Sequence, residues 1–147
     1  MFPMTFLDKS ADAAAEREAL DLANRLTNGE LPTAKAPDPL APGDSCHFAA
    51  PVRFGRRRAD QYGHLVLTAG WLKFRGTQDV SVAWDEVANV QRAGREVIVS
   101  FERSRRLLRF SCYSIGEAAR GGVIATHLMR SARPPAVGIQ AEYQVSV

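Results

Sequence analysis

The chain is poor in the residues most chemistry relies on: two cysteines and three histidines in 147 residues. Cys46 and Cys112 stand far apart and outside any CxxC or Cys/His ligand spacing. That excludes the common zinc and thioredoxin-type patterns and leaves two buried, reduced thiols as the expectation. His47, His64 and His127 fall on different predicted elements, with no Ser/Asp or Cys partner in a recognisable arrangement. Cys46 and His47 are neighbours on a predicted strand, so their side chains point to opposite faces and cannot act as a pair. There is no P-loop, no GxGxxG and no HExxH. The carboxylates Asp85 and Glu86 sit together, but in a turn between two short strands, where neighbouring acids are solvated. These absences predict a chain without catalytic residues, metal or cofactor. Long apolar runs are missing too: none approaches the roughly 20 residues that span a bilayer. The apolar start Met1–Leu7 has no basic residues ahead of it and meets Asp8 at once, unlike a signal peptide, so the cytoplasm is the expected location.

Charge is present and unevenly placed. The net value is +3. Residues 1–45 hold four bases and eight acids, while residues 46–133 hold fifteen bases, nearly all arginine, and seven acids. A basic central segment favours anionic partners without naming one.

Periodicity supplies the architecture. Ala15, Ala19, Leu22 and Leu26 recur at helical spacing, predicting an amphipathic helix over Asp12–Thr27 that stops at Asn28-Gly29. Pro32, Pro37, Pro39 and Pro42 then make an extended linker. From Cys46 the period becomes two: Cys46, Phe48, Ala50, Val52 and Phe54 share one face. Further strands are predicted at Gly63–Thr68, Trp71–Arg75, Val80–Trp84, Val87–Gln91, Glu96–Glu102 and Leu107–Cys112. Ser114-Ile115-Gly116-Glu117 has capping-box form and opens a helix to about Ser131. Its expected buried face is Ile115, Ala118, Ala119, Gly122, Val123 and Met129. Arg133-Pro134-Pro135 ends it. Beyond, Ile139, Ala141, Tyr143, Val145 and Val147 alternate with polar residues, which predicts an extra strand added to a sheet edge, in its own sheet or in a second copy of the chain.

Seven strands followed by one amphipathic helix is the order of the pleckstrin-homology-like superfold. Gly63, Leu65, Leu67, Thr68, Leu72, Phe74 and Gly76 form a pattern G-x-L-x-L-T-x-x-x-L-x-F-x-G that resembles bacterial PH-like and GRAM-type domains. Leu40–Phe48 resembles the lead-in of such domains. The resemblance implies a mainly β fold with α: a seven-stranded bent barrel of two orthogonal sheets, capped by the C-terminal helix. The expected organisation is an N-terminal helix and Pro-rich linker over 1–44, the PH-like domain over 45–133, and a tail over 134–147.

A binding module follows from this, with protein docking or self-association into a homo-oligomer as the leading expectation. The alternative is peripheral association with anionic membrane through arginine-rich loops. Candidate residues for an anionic or acidic partner are Arg56, Arg57, Arg58, Lys73, Arg75, Arg103, Arg105 and Arg106. In lipid-binding PH domains a K/R-x-R stands on the second strand, whereas Lys73-Phe74-Arg75 is on the third, a departure from that headgroup site. Nucleic acid is disfavoured, since only Trp71 and Tyr62 are available for stacking. Trp71 shares a face with Lys73 and Arg75, and the N-terminal helix is expected to cover it. Trp71, Ile139, Tyr143 and Val145 are the candidate interaction residues.

Overall fold

The computed structural model describes residues 2–55 and 61–132. Arg56, Arg57 and Arg58 lie outside the described residues, as do Ile139, Tyr143, Val145 and the expected extra strand.

Helix α1 runs over Phe2–Thr27, longer at its start than the apolar stripe predicts. Nothing between Met4 and Thr27 breaks a helix, and Pro3 falls in the first turn, where a missing N–H costs little. The end is a Schellman turn. Gly29 takes φ +85°, its N–H donates to Leu26 O at 3.0 Å, and Glu30 N–H donates to Arg25 O at 2.9 Å. Glycine tolerates that left-handed conformation without a Cβ penalty. Ala15, Leu22 and Leu26 are buried.

The strands are β1 (Cys46–Phe54), β2 (Gln61–Thr68), β3 (Trp71–Arg75), β4 (Val80–Ala83), β5 (Val87–Ala93), β6 (Glu96–Phe101) and β7 (Leu107–Cys112). A single 3-10 turn, Trp84–Glu86, links β4 to β5. All pairings are antiparallel, in the order β4-β3-β2-β1-β7-β6-β5. Strand β1 makes the sheet continuous. It pairs with β2 along its length, and its last residues, Val52–Phe54, also pair with Cys112–Phe110 of β7. The outer strands β4 and β5 are not paired with each other, so the bent sheet stays unclosed.

The inward faces are those that the period of two predicts. Leu65, Leu67, Leu72, Phe74, Val97, Val99, Leu108 and Phe110 are buried, with Phe74 fully so and Lys73 only half-buried. A register slipped by one residue would have exchanged that pair. Phe54 centres an aromatic cluster, its ring centroid 4.8 Å from Phe74 and 4.9 Å from Phe110. Burying such rings is worth on the order of 1.5–3 kcal/mol each. Trp84 fixes the β4–β5 corner: it is buried and its indole N–H donates to Thr68 O at 2.8 Å.

Helix α2 spans Ile115–Ser131, with Ser114 as N-cap accepting from Glu117 N–H at 3.1 Å. Its buried face is broader than predicted. Ala118, Ala119, Gly121, Ile124, Ala125, Leu128 and Met129 are buried, while Ile115, Gly122 and Val123 are only half-buried. The reason is that α2 packs on two partners, the sheet on one side and α1 on the other.

That packing overturns the expected cover for Trp71. Helix α1 lies on α2, and Trp71 remains 40% exposed. The linker takes the outer face of β3 instead: Pro37, Pro39 and Leu40 border a small hollow with Val66, Lys73 and Arg75. It is stitched down by Ala34 N–H to Cys46 O at 3.0 Å and by a His47 Nδ1 contact with Pro32 O at 2.8 Å. A β-bulge between Cys46 and Phe48 interrupts the pairing of β1 at His47.

Candidate functional site

Several of the bases that suggest an anion-binding surface are engaged inside the chain. Arg92, which the sequence places at a hairpin end, reaches back to Asp12 and Glu16 of α1 and donates to Gly94 O at 2.9 Å. Arg75 pairs with Asp38 of the linker at 3.0 Å and with Asp79 at 3.3 Å. Arg109 pairs with Glu96 at 3.2 Å. Lys73 lies close enough to Asp44 to favour its charged form. The structure therefore does not bring Lys73 and Arg75 together as an open K-x-R site. Arg103, Arg105 and Arg106 are exposed in the loop between β6 and β7.

The thiols and imidazoles form no reactive group among the described residues. Burial pushes Cys46 above its ordinary pKa and Cys112 up to about 11, which disfavours the nucleophilic thiolate. His47 is held by Pro32 O, and His127 lies 3.5 Å from Ser131 Oγ. His64 is exposed on β2.

Two clefts stand out. The smaller, about 370 Å³, lies between α1, β5 and α2, and the Arg92 ion pairs bridge its walls. The larger, about 970 Å³, opens at the unclosed seam of the sheet. One wall is β4, contributing Val80, Ser81 and Val82. Faces alternate along a strand, so three consecutive lining residues mean that β4 presents its edge. That edge is the one without a strand partner among the described residues. Phe101 and Leu108 form the opposite apolar wall, and Ala132, the residue that caps α2, closes one side. The rim is mixed: Arg103 and Arg106 face the same cleft as Asp85 and Glu86.

An unpaired edge beside apolar walls can accept an extended backbone, with hydrogen bonds from the edge and side-chain contacts from the walls. Arg103 and Arg106, expected to meet an anionic or acidic partner, line this cleft, as do Val80–Val82, which the sequence analysis did not single out. Seven strands predict a closed or nearly closed barrel, and nothing in the residues of β4 says which strand loses a neighbour. Trp84 was a usable signal, because a tryptophan directly before Asp85-Glu86 marks a buried corner. No helix among the described residues is long and apolar enough to cross a membrane.

No family model and no curated protein matches the chain. Solved structures do. The C-terminal domain of an unknown protein from Leishmania infantum is 16% identical, with a TM-score of 0.50, over 58% of this chain and 86% of that one. A truncated linker-DH/PH structure of p115-RhoGEF is 11% identical, with a TM-score of 0.56, over 84% of this chain and 43% of that one. This chain thus spans less than half of that protein's length. Inner membrane complex sub-compartment protein 3 of Toxoplasma gondii is 13% identical, with a TM-score of 0.49, over 56% of this chain and 75% of that one. At these identities the likeness concerns the fold alone, which is PH-like. None of the three names bears on the bacterial or GRAM-type part of the resemblance.

Proposed function

We propose that this PH-like chain is a non-catalytic docking module that takes up an extended segment of protein in the open seam beside β4. The observation that carries this reading is the edge of β4, which has no strand partner among the described residues and opens edge-on into a cleft of about 970 Å³ also lined by Phe101 and Leu108. Such an edge is a ready template for another chain. The charge around it supports a protein partner over an anionic membrane. Arg103 and Arg106 share the cleft's lining with Asp85, Glu86 and Glu102, so the bases there are matched by acids, whereas recruitment to acidic lipid needs several unopposed bases near the surface.

A displayed library of random nonapeptides, panned on the full chain, tests this. Enriched peptides should alternate apolar and polar residues and shift the amide resonances of Val80–Ala83. Enrichment of acidic peptides that leave those amides unmoved would refute the docking site. So would co-sedimentation with phosphatidylserine-containing vesicles that persists at about 0.15 M salt and is lost when Arg103, Arg105 and Arg106 are changed to Glu.

A further inference from the structure

We propose that α1 is a displaceable strap: the shelf it covers, formed by the edge of β5 and one side of α2, takes an acidic amphipathic helix of a partner protein in its place. The inference is independent of the seam beside β4. Three observations lead to it.

The first is what the shelf selects. Strand β5 ends the sheet at the side opposite to β4. Its consecutive residues Val90, Gln91 and Arg92 all border the cleft of about 370 Å³ between α1, β5 and α2, so β5 presents its edge there. Ala119, Gly122 and Val123 of α2 add small apolar groups beside that edge, over which a helix can lie close. Bases surround this shelf. Arg92 and Arg130 border the cleft, and Arg120 stands along the other flank of α1, beside Glu18 and Asp21. Helix α1 answers Arg92 with Asp12 and Glu16, one turn apart. An apolar helical stripe flanked by acids at that spacing is therefore what the surface recognises.

The second is incomplete fit. Along the stripe of α1, Ala15, Leu22 and Leu26 are buried, but Ala19 and Ala23 are only half-buried and border the cleft. Their methyl groups leave space that larger side chains would take. A helix carrying leucine at those two positions buries more apolar surface on the same shelf. That surplus lets a partner compete with a tethered strap, whose local concentration is of millimolar order.

The third is separate fastening. The linker is held by its own contacts: Ala34 N–H to Cys46 O, His47 Nδ1 with Pro32 O, and Arg75 with Asp38. Helix α1 stops at the Gly29 turn, ahead of all of them. It can leave the shelf while the linker stays in place. Its ion pairs to Arg92 involve acids that are more than half exposed, so they hold it weakly.

A fluorescent peptide of residues 12–27 carrying Ala19→Leu and Ala23→Leu, titrated into the full chain, provides the test. Binding should shift the amide resonances of Val90–Arg92 and Ala119–Arg130 and speed amide exchange in the chain's own α1. The peptide with the parent alanines should bind at least about tenfold more weakly. The leucine peptide with Asp12→Lys and Glu16→Lys should lose about as much. A full chain with Ala19→Leu/Ala23→Leu in its own α1, and a spectrum that otherwise overlays the parent, should exclude the peptide. No shift at β5 and α2 with about 1 mM peptide, the local concentration it must match, would overturn the proposal. Equal affinity for the leucine and alanine peptides would overturn it as well, as would shifts at β5 and α2 without faster exchange in α1, or undiminished binding to the chain with leucines in α1. Shifts confined to Val80–Ala83 would discard the shelf and leave the seam reading standing.

Discussion

Two adjacent glycines in α2 should respond in opposite directions to the same substitution. Replacing glycine by alanine inside a helix is worth about 0.8–1 kcal/mol in its favour. At Gly122 that gain is available, since an added Cβ would come no nearer than 3.8 Å to Arg92 Cβ, ordinary van der Waals contact. Gly122→Ala should therefore stabilise the protein by about 1 kcal/mol. At Gly121 an added Cβ would lie 3.1 and 3.2 Å from Cζ and Cε2 of Phe48. That ring is buried between β1 and α2, so relief requires the helix and sheet to part by a few tenths of an ångström. Overpacking of this kind costs about 1–3 kcal/mol, which offsets the helical gain and leaves a net loss of about 0–2 kcal/mol. Urea unfolding followed by tryptophan fluorescence, from the buried Trp84 and the part-exposed Trp71, measures both variants, and an unchanged m-value confirms that stability alone has moved. The two midpoints should straddle the parent. In a Phe48→Leu background the penalty at Gly121 should vanish, because the ring edge is gone, whereas the gain at Gly122 should persist. If Gly121→Ala proves as stable as Gly122→Ala in the parent background, the close approach of Phe48 to the helix is wrong.

Arg92→Ala removes both ion pairs to α1, but Asp12 and Glu16 are more than half exposed, so the loss should be under about 1 kcal/mol. Leu22→Ala empties a buried site beneath the same helix and should cost about 2–4 kcal/mol, with amide exchange in α1 accelerating far more than in Arg92→Ala. Asp44 provides a pH signature. Burial pushes its pKa up, but the Thr68 hydroxyl, the Gly70 and Ser45 amides and Lys73 more than offset that and hold it below the ordinary carboxylate value. A depressed folded-state pKa stabilises above the unfolded value near 4 and loses that contribution as pH falls through the folded value. Asp44→Asn should therefore cost about 1–2 kcal/mol at neutral pH, and the gap between variant and parent melting temperatures should narrow below about pH 4. A gap constant from pH 7 to pH 3 would remove the carboxylate charge from the account.

The inward faces were legible because alternation is a local property. Phe48, Leu65, Leu72, Phe74 and Phe110 each declare a side from their neighbours at two-residue spacing, and the structure buries all five. Phe101 fits the same alternation yet is half-exposed, since it stands at the seam, and sheet closure is a global property. The partner of α1 was hidden for a similar reason. A stripe of Ala15, Leu22 and Leu26 says that one face is buried, not what buries it, and the outer face of β3 was as plausible a partner as α2. The pairing of Arg92 with residues 76 and 80 positions earlier leaves no local trace at all. The Schellman turn at Gly29 and the cap at Ser114 were legible, being set within a few residues.

The charge asymmetry between the two parts of the chain is partly resolved within the chain. Of the eight acids in residues 1–45, Asp12 and Glu16 meet Arg92, Asp38 meets Arg75, and Asp44 accepts from the amides of Gly70 and Ser45 at 3.1 and 2.9 Å. The acidic helix and linker thus lie along the basic domain as a complementary strap. Exposed pairs of this kind contribute about 0–1 kcal/mol each, too little to hold the strap against its ordering entropy; Ala15, Leu22 and Leu26 supply the attachment, and the ion pairs set its direction. A surface that looks free to attract anions in the sequence is in this way partly satisfied by the chain itself. What remains open among the described residues is the seam, where acids and bases share the rim and the unpaired edge of β4 is the feature that asks for a partner.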